Sequence, residues 1–127
     1  MDIHGLDHVN LRTSSLGRLT KFYVEVLGMR EGPRPAFDFG GAWLYLGDHA
    51  CVHLVEVTEH ERPGEDLGLS HFAFRANGLT ELTERLNRYQ VSYRMIRPPG
   101  TSITQVHFCD PDGNALHIDF AADEQPS

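Results

Sequence analysis

The sequence predicts an α+β fold made of two βαβββ repeats, whose mixed sheets curl around a shared cleft. The first observation is a short segment of alternating apolar and polar residues at Leu6–Leu11, which recurs at Leu69–Phe74. A helical stripe of apolar residues follows each copy, and a hairpin pattern closes each copy. One such unit exposes a sheet face that it cannot cover alone, so the pairing of two units is favoured.

Apolar spacing and turn residues predict the elements of the first repeat, residues 4–58. The polar break Arg12–Ser15 precedes a stripe at the 3.6-residue helical period, and Gly28 stands where a helix would end. The stripe consists of Leu16, Leu19, Tyr23, Val26 and Leu27. A hairpin then joins Trp43–Leu46 to Cys51–Val55 through a turn at Gly47–His49.

The second repeat, residues 67–121, shows the same order of signals. Its helical stripe consists of Leu79, Leu82, Leu86 and Tyr89. Its hairpin joins Gln105–Phe108 to Leu116–Phe120 through Asp110–Asn114, where Pro presets φ while Gly and Asn accept positive φ. In both repeats a Pro-containing stretch, Met29–Asp38 or Val91–Ser102, crosses between helix and hairpin and completes about three strands.

The two repeats are too small to be separate domains, so residues 1–127 are interpreted as a single domain. Glu59–Asp66 is charged and contains Pro and Gly, as a linker between the halves would. The tail from Ala121 is polar and is expected to be frayed.

Composition excludes several classes of protein. The net charge of −7 argues against nucleic-acid binding, which needs clustered Lys and Arg. No apolar run approaches the roughly 20 residues of a membrane helix, and no leader is recognisable, so a cytoplasmic location is expected. Cys51 and Cys109 lie in apolar stretches without CxxC spacing and are expected to be small buried residues rather than a disulfide.

Four of the eight histidines occupy matched positions in the repeats. His8 and His71 share one place in the first strand of each half, and His53 and His117 share one place in the last strand. Strand alternation turns each of them away from its apolar neighbours and into the cleft. A single histidine in a strand more often has a structural role, but four histidines with unrelated structural roles would not be expected at matched positions of a repeat. The set predicts a site for a divalent metal ion, since imidazole is a common ligand of such ions.

Other residues give weaker signals. His107 is a candidate second-shell group or catalytic base, and a surface histidine is an equally good interpretation. Three arginines are candidates for binding a substrate carboxylate, although exposure to solvent is the default: Arg12, Arg75 and Arg94. Trp43 and Tyr45 are expected in the core rather than in the cleft. His4, His49 and His60 are expected to be solvated, and no organic-cofactor site is predicted.

Several motifs resemble the vicinal oxygen chelate superfamily, which includes glyoxalase I, fosfomycin-resistance thiol transferases, extradiol dioxygenases and bleomycin-resistance proteins. They are the first-strand His in Leu-Asp-His-Val, the helix end Phe22–Met29, the second His in Leu-Ser-His-Phe-Ala-Phe, and Asp110–Asn114. The resemblance implies metal ligands at His8, His53, His71 and His117. His117 stands where the family usually has Glu, and His53 where glyoxalase I has another Glu. Since other members lack the first-hairpin ligand, His53 is the weakest of the four.

The resemblance leaves three functions open. The first is a metal-dependent lyase or isomerase, whose Zn, Ni, Fe, Co or Mn ion chelates two adjacent oxygens of a small substrate. The departure from Glu weakens glyoxalase-type isomerisation, in which the Glu ligand is the base. The others are an Fe(II) ring-cleaving dioxygenase and a non-catalytic protein that sequesters a small molecule such as an antibiotic. Relatives commonly pair, so a homodimer is expected, with metal sites within one chain or across two.

Overall fold

The computed structural model describes residues 1–59 and 69–124, and the chain divides into two compact units, Met1–Arg62 and Pro63–Ser127. Each unit contains a strand, a helix and three further strands, in that order. The α+β class and the two βαβββ repeats with mixed sheets are therefore confirmed, whereas the shared cleft stays a prediction. Of the predicted linker Glu59–Asp66, all but Glu59 lies outside the described residues.

The first unit is a four-stranded sheet in the order β1-β4-β3-β2, with β1 parallel to β4 and the other pairs antiparallel. Its elements are β1 (Val9–Thr13), α1 (Leu16–Lys21), a π-helical segment (Phe22–Val26), β2 (Arg30–Gly32), β3 (Gly41–Leu46) and β4 (His49–Glu56). The first strand begins later than predicted, because its ladder starts with the pair Val9 and Val52, and Leu6 is exposed.

The predicted single helix of this unit changes its winding part-way. After α1 the chain widens into the π-helical segment, where the N–H of Leu27 donates to the carbonyl of Phe22 at 3.4 Å. Gly28 then adopts a φ of 73°, which favours glycine, and the helical stretch ends there as predicted. Its buried side chains Leu19, Tyr23 and Val26 cover one face of the sheet, where Leu44 and Leu54 are also buried. The helical stretch does not cover the opposite face of the sheet.

The second unit repeats this arrangement, with the strand order β5-β8-β7-β6 and β5 parallel to β8. Its elements are β5 (Phe72–Arg75), α2 (Leu79–Arg88), β6 (Tyr93–Ile96), β7 (Ile103–Cys109) and β8 (Ala115–Ala121). Leu79, Leu82 and Leu86 of the predicted stripe are buried. The fourth member, Tyr89, is 42% exposed because α2 ends before it. Its assignment to the buried stripe was wrong.

A tight turn holds β7 and β8 together. The Asp110 carboxylate accepts hydrogen bonds from the backbone N–H groups of Asp112 at 3.0 Å and Asn114 at 2.9 Å, and from the Asn114 side chain at 2.8 Å. Gly113 adopts a φ of 86°. The predicted Asp-Pro-Asp-Gly-Asn turn is thus confirmed, and it sets the register between β7, which precedes it, and β8, which follows it.

Residues 121–124 of the tail are held in place, contrary to the fraying predicted from Ala121. β8 includes Ala121, and the Glu124 carboxylate accepts hydrogen bonds from the N–H groups of Gly78 at 2.9 Å and Leu79 at 2.8 Å. These donors belong to the start of α2, where the helix has unpaired N–H groups and a positive dipole end. A residue distant in sequence therefore caps the helix, which no local pattern indicates.

We expect Glu124→Ala to lower the free energy of unfolding by about 1 kcal/mol, as the loss of a helix cap typically does. Asp123→Ala is the matched control, because Asp123 is an exposed acidic neighbour and should change stability little. Urea denaturation of both variants measures the difference. Equal stability of the two variants would show that the cap does not contribute.

Candidate functional site

The open face of the first sheet carries a stack of three rings, here called the first histidine cluster: His8, His53 and Trp43. The ring of His53 lies between the other two, with centroids 3.9 Å from His8 and 4.0 Å from Trp43, and it is nearly parallel to both. Strand pairing explains the contact with Trp43, which is directly opposite His53 in the β3–β4 ladder. His8 precedes β1 by one residue and reaches His53 because β1 lies beside β4.

The second sheet carries the equivalent group, the second histidine cluster: His71, His107 and His117. His117 again occupies the middle, with ring centroids 5.1 Å from His71 and 4.6 Å from His107. His107 is opposite His117 in the β7–β8 ladder, as Trp43 is opposite His53. The repeat therefore extends to the spatial arrangement of the rings.

Three of the predicted ligands have the same nitrogen occupied. His8 Nδ1 donates to the Asp7 carboxylate at 2.7 Å, and His117 Nδ1 donates to the Asp119 carboxylate at 2.6 Å. His71 Nδ1 shares a hydrogen bond of 3.0 Å with the Ser70 hydroxyl. A carboxylate accepts only, so the neutral rings of His8 and His117 carry their proton on Nδ1 and present the Nε2 lone pair. Metal-binding histidines are commonly oriented in this way.

His53 differs from the other three. Its Nε2 donates to the backbone carbonyl of Ala50 at 3.0 Å, which leaves Nδ1 as its only lone pair. A metal ion bound through a nitrogen lone pair lies in the plane of the ring. The planes of His8 and His53 are inclined by only 12° at a separation of 3.9 Å, so these two rings do not converge on one ion as they stand. The rings of His71 and His117 are instead tilted by 43° with centroids 5.1 Å apart, so they are not stacked face to face.

The described ranges 1–59 and 69–124 contain no group of three His, Cys, Asp or Glu side chains placed to hold an ion together. The four predicted ligands are brought together as two pairs, His8 with His53 and His71 with His117. Their assignment as one metal site stays a prediction. His8 and His117 fit a divalent ion, because imidazoles whose Nδ1 is bound to a carboxylate are good ligands.

Burial and neighbouring charge alter the pKa values in both clusters. Desolvation lowers the pKa of His53, and the nearby His8 lowers it further. Desolvation likewise lowers the pKa of His107, followed by the charge of His117. The hydrogen bond from His8 lowers the pKa of the Asp7 carboxyl. His53 and His107 are therefore neutral near pH 7, the form that can accept a proton or bind a metal.

Two predictions about the open faces were wrong. Trp43 and Tyr45, expected in the core, are only half-buried, because they alternate with the buried Ala42 and Leu44 and so point to the histidine face. The strand period could have revealed this placement. Cys109, expected to be buried, is exposed, and Cys51 is half-buried; both are free thiols.

The first cluster continues into an aromatic surface that the sequence did not indicate. Phe37 and Phe39 are each 43% exposed, and their rings stack at 4.8 Å. The Arg34 guanidinium lies 5.2 Å from the centroid of Phe37 and 5.5 Å from that of Phe39. Phe37 is in turn 6.5 Å from Trp43. This surface could stack against a planar ligand group.

A cleft of about 740 Å³ opens within the second unit at the beginnings of β5 and β6. Two members of the second cluster, His71 and His107, line it, together with Arg94 and Cys109. Such a volume is in the range of small-molecule sites. The second unit therefore presents two imidazoles and one arginine to a small ligand.

The sequence model of the Glyoxalase/Bleomycin resistance protein/Dioxygenase superfamily matches residues 5–118. The chain belongs to this superfamily. The match includes all four histidines of matched position, and the element order of each unit agrees with it.

Individual relatives of this superfamily are distant. The chain is 28% identical to a metapyrocatechase from Geobacillus stearothermophilus over 91% of its own length, but it spans only 37% of that protein. It is also 28% identical to the glutathione transferase FosA from Serratia marcescens, covering 91% of the chain and 80% of the relative. A solved glyoxylase/bleomycin resistance protein/dioxygenase domain from Frankia sp. EAN1pec superimposes with a TM-score of 0.79 at 23% identity, over 94% of this chain and 99% of that one. This last likeness shows the fold.

Among the described residues, no helix has the length and apolar character to cross a membrane. The predicted cytoplasmic location stays a prediction.

We expect the unfolding free energy of metal-free protein to fall as pH decreases below about 6.5, the ordinary histidine pKa. Because the folded-state pKa values of His53 and His107 are lowered, the unfolded chain binds more protons in this range, and acid favours unfolding. Proton NMR titration with a chelator present, compared with the same protein in urea, measures each histidine. The fall should be shallower in His53→Gln. A folded-state midpoint for His53 at or above its value in urea would contradict the expectation.

Proposed function

We propose that this protein is a metal-dependent enzyme in which a divalent ion is bound by histidines and chelates two adjacent oxygens of a small substrate, for lyase or isomerase chemistry. The observation that carries the proposal is the pair of carboxylate–imidazole contacts, Asp7 with His8 and Asp119 with His117, at 2.7 and 2.6 Å. In each contact the proton of the neutral ring is on Nδ1, so the lone pair of Nε2 is available to a metal ion. Family membership supports the same use of these positions.

The proposed ligands are His8, His71 and His117, with His53 as a fourth. His8 and His117 have Nδ1 bound to a carboxylate and Nε2 available, and His71 has Nδ1 bound to the Ser70 hydroxyl. His53 instead has its Nε2 on the Ala50 carbonyl and its ring stacked on His8. A change of the His53 side-chain rotamer would be needed before it shared an ion with His8. Replacing His53 should therefore weaken metal binding less than replacing any of the other three.

When bound, the ion would supply Lewis-acid polarisation of the substrate oxygens. The residues of the chain have the remaining tasks. His107 is the candidate base, since its ring stacks on His117 at 4.6 Å, its pKa is lowered by burial, and it lines the cleft. Asp7 and Asp119 hold two ligand rings in place through hydrogen bonds. Four neutral imidazoles would leave the ion's charge uncompensated by its direct ligands, which favours an anionic or oxygen-chelating substrate.

A ring-cleaving dioxygenase is the second candidate function. The likeness to a metapyrocatechase and the exposed aromatic surface of Phe37, Phe39 and Trp43 favour it. Oxygen consumption by Fe(II)-loaded protein with a catechol would support this alternative. Metal-dependent turnover of an anionic substrate without oxygen uptake would support the lyase or isomerase.

We expect purified protein to bind about one divalent ion per chain when titrated with Zn, Ni, Co, Mn or Fe(II). His8→Ala or His71→Ala should remove most of the binding, because each loses a nitrogen donor. His4→Ala, an exposed histidine near the start of the chain, is the matched control. Elemental analysis and isothermal titration measure the stoichiometry. An absence of binding by the wild-type protein would contradict the catalytic proposal and favour a protein that sequesters its ligand.

The carboxylate contacts provide a finer test of the same site. Asp119→Asn should weaken metal binding by about 10-fold or more, as the loss of such an outer partner typically does. Asp123→Asn changes an exposed carboxylate that follows β8 and should have no effect.

His117→Glu should retain the ion, because a carboxylate oxygen binds zinc at about 2.0–2.2 Å, whereas His117→Ala should weaken binding. Glu at this position would place a second carboxylate near Asp119, so the metal-free protein should be less stable. Adding Asp119→Asn should relieve that repulsion. Competitive titration with a chromogenic chelator compares the variants. Wild-type affinity in His117→Ala would mean that His117 is not a ligand.

We also propose that the protein is a homodimer, as an expectation from its relatives, and light scattering at micromolar concentration should give twice the chain mass. Mixed dimers of His8→Ala and His71→Ala chains show which chains supply each ion. If ligands come from two chains, one intact site is restored in each mixed dimer. If each ion uses a single chain, none is restored. A monomer at this concentration would contradict the proposal.

A further inference from the structure

The cleft of the second unit has an unusual electrostatic character for so acidic a chain. The net charge is −7, yet no Asp or Glu is among the described residues that line the cleft. Its lining includes the guanidinium of Arg94, together with Ser92 and the rings of His71 and His107. All of these side chains can donate hydrogen bonds.

Arg94 has no internal function in the described part of the chain. It is exposed on β6, opposite His107 in the β6–β7 ladder. It makes no hydrogen bond or ion pair with any residue in the ranges 1–59 and 69–124. By contrast, Arg85 is bound to Glu81 at 2.6 Å. The five donors of the Arg94 guanidinium are thus available to a ligand.

We propose that Arg94 binds an oxyanion group, a carboxylate or a phosphate-type group, of the small molecule that occupies this cleft. This role rests on the proposed function only in that the small molecule is taken to be the substrate. A planar guanidinium forms paired, charge-assisted hydrogen bonds with such groups. The position of Arg94 next to His107 places the anionic end of the ligand beside the second histidine cluster. Arg94 is therefore a specificity-determining residue that selects anionic substrates.

The exposed thiol of Cys109 in the same cleft provides a direct probe. Iodoacetate is anionic and iodoacetamide is neutral, and both alkylate the same thiolate, so the ionisation of Cys109 cancels in the ratio of their rates. Arg94 should favour iodoacetate, and the ratio of the two rates should fall about threefold in Arg94→Gln, the size of effect that one charge several ångströms away has in water. Arg94→Lys should retain most of the preference. Peptide mass spectrometry separates Cys109 from the half-buried Cys51.

Anion binding is measured by protection of Cys109 from iodoacetamide. Inorganic phosphate and acetate are the two probes, and they distinguish tetrahedral from planar oxyanions. The concentration of the better probe that gives half-protection should rise about tenfold in Arg94→Gln. Arg88→Gln, which removes an exposed arginine from the last turn of α2, is the matched control and should change neither measurement.

A rate ratio and a half-protecting concentration that are the same in Arg94→Gln as in wild type would overturn the proposal. All measurements use metal-free protein with a chelator present. Loss of metal binding would therefore contradict the proposed function without affecting this result, and an unchanged ratio would contradict the role of Arg94 alone. Thermal unfolding of each variant verifies that the exposed substitution leaves the fold intact.

Discussion

The parallel pairing of the first and last strands within each unit is the constraint on which the candidate site depends. β1 lies beside β4, and β5 lies beside β8, although each pair is separated by a helix and two strands. This pairing brings His8 to His53 and His71 to His117. The buried side of each helix holds this pairing in place by covering one face of the sheet, so that the histidines are left on the other face.

Hydrogen bonds then distinguish histidines that the repeat makes formally equivalent. His53 and His117 occupy the same place in their units, but His53 donates through Nε2 to a backbone carbonyl and His117 donates through Nδ1 to Asp119. The two rings therefore present different nitrogens. Asp119 is a β8 residue on the same face as His117, two positions along the strand, and the first unit has Val55 at the matched place. A duplicated backbone has thus acquired two different polar environments.

The charges of the second unit suggest how an acidic protein could bind an anion. The Asp119 carboxylate is hydrogen-bonded to His117, and the Asp110 carboxylate is hydrogen-bonded within the β7–β8 turn, so both stabilise the fold. Arg94 remains available on the neighbouring strand. Local arrangement, and not the net charge, determines the electrostatic character of the cleft. The same distinction applies to the proposed metal site, where neutral imidazoles would leave the ion's charge to attract oxygen donors.

The sequence by itself determined the repeat, the α+β class, the helix stop at Gly28, the Asp110–Asn114 turn and the strand faces of His53 and His117, whereas His8 and His71 precede the strands in which the sequence placed them. These depend on period, turn chemistry and recurrence, which are local properties of the chain. Only the tertiary structure decided that Glu124 caps α2, that Trp43 stacks on His53, and which nitrogen each histidine presents. Each of those contacts depends on strand order or on the side-chain rotamers that the residues adopt. The spacing of residues along the chain does not specify strand order or rotamers, because it indicates which face of a strand a residue occupies and not which residue lies opposite.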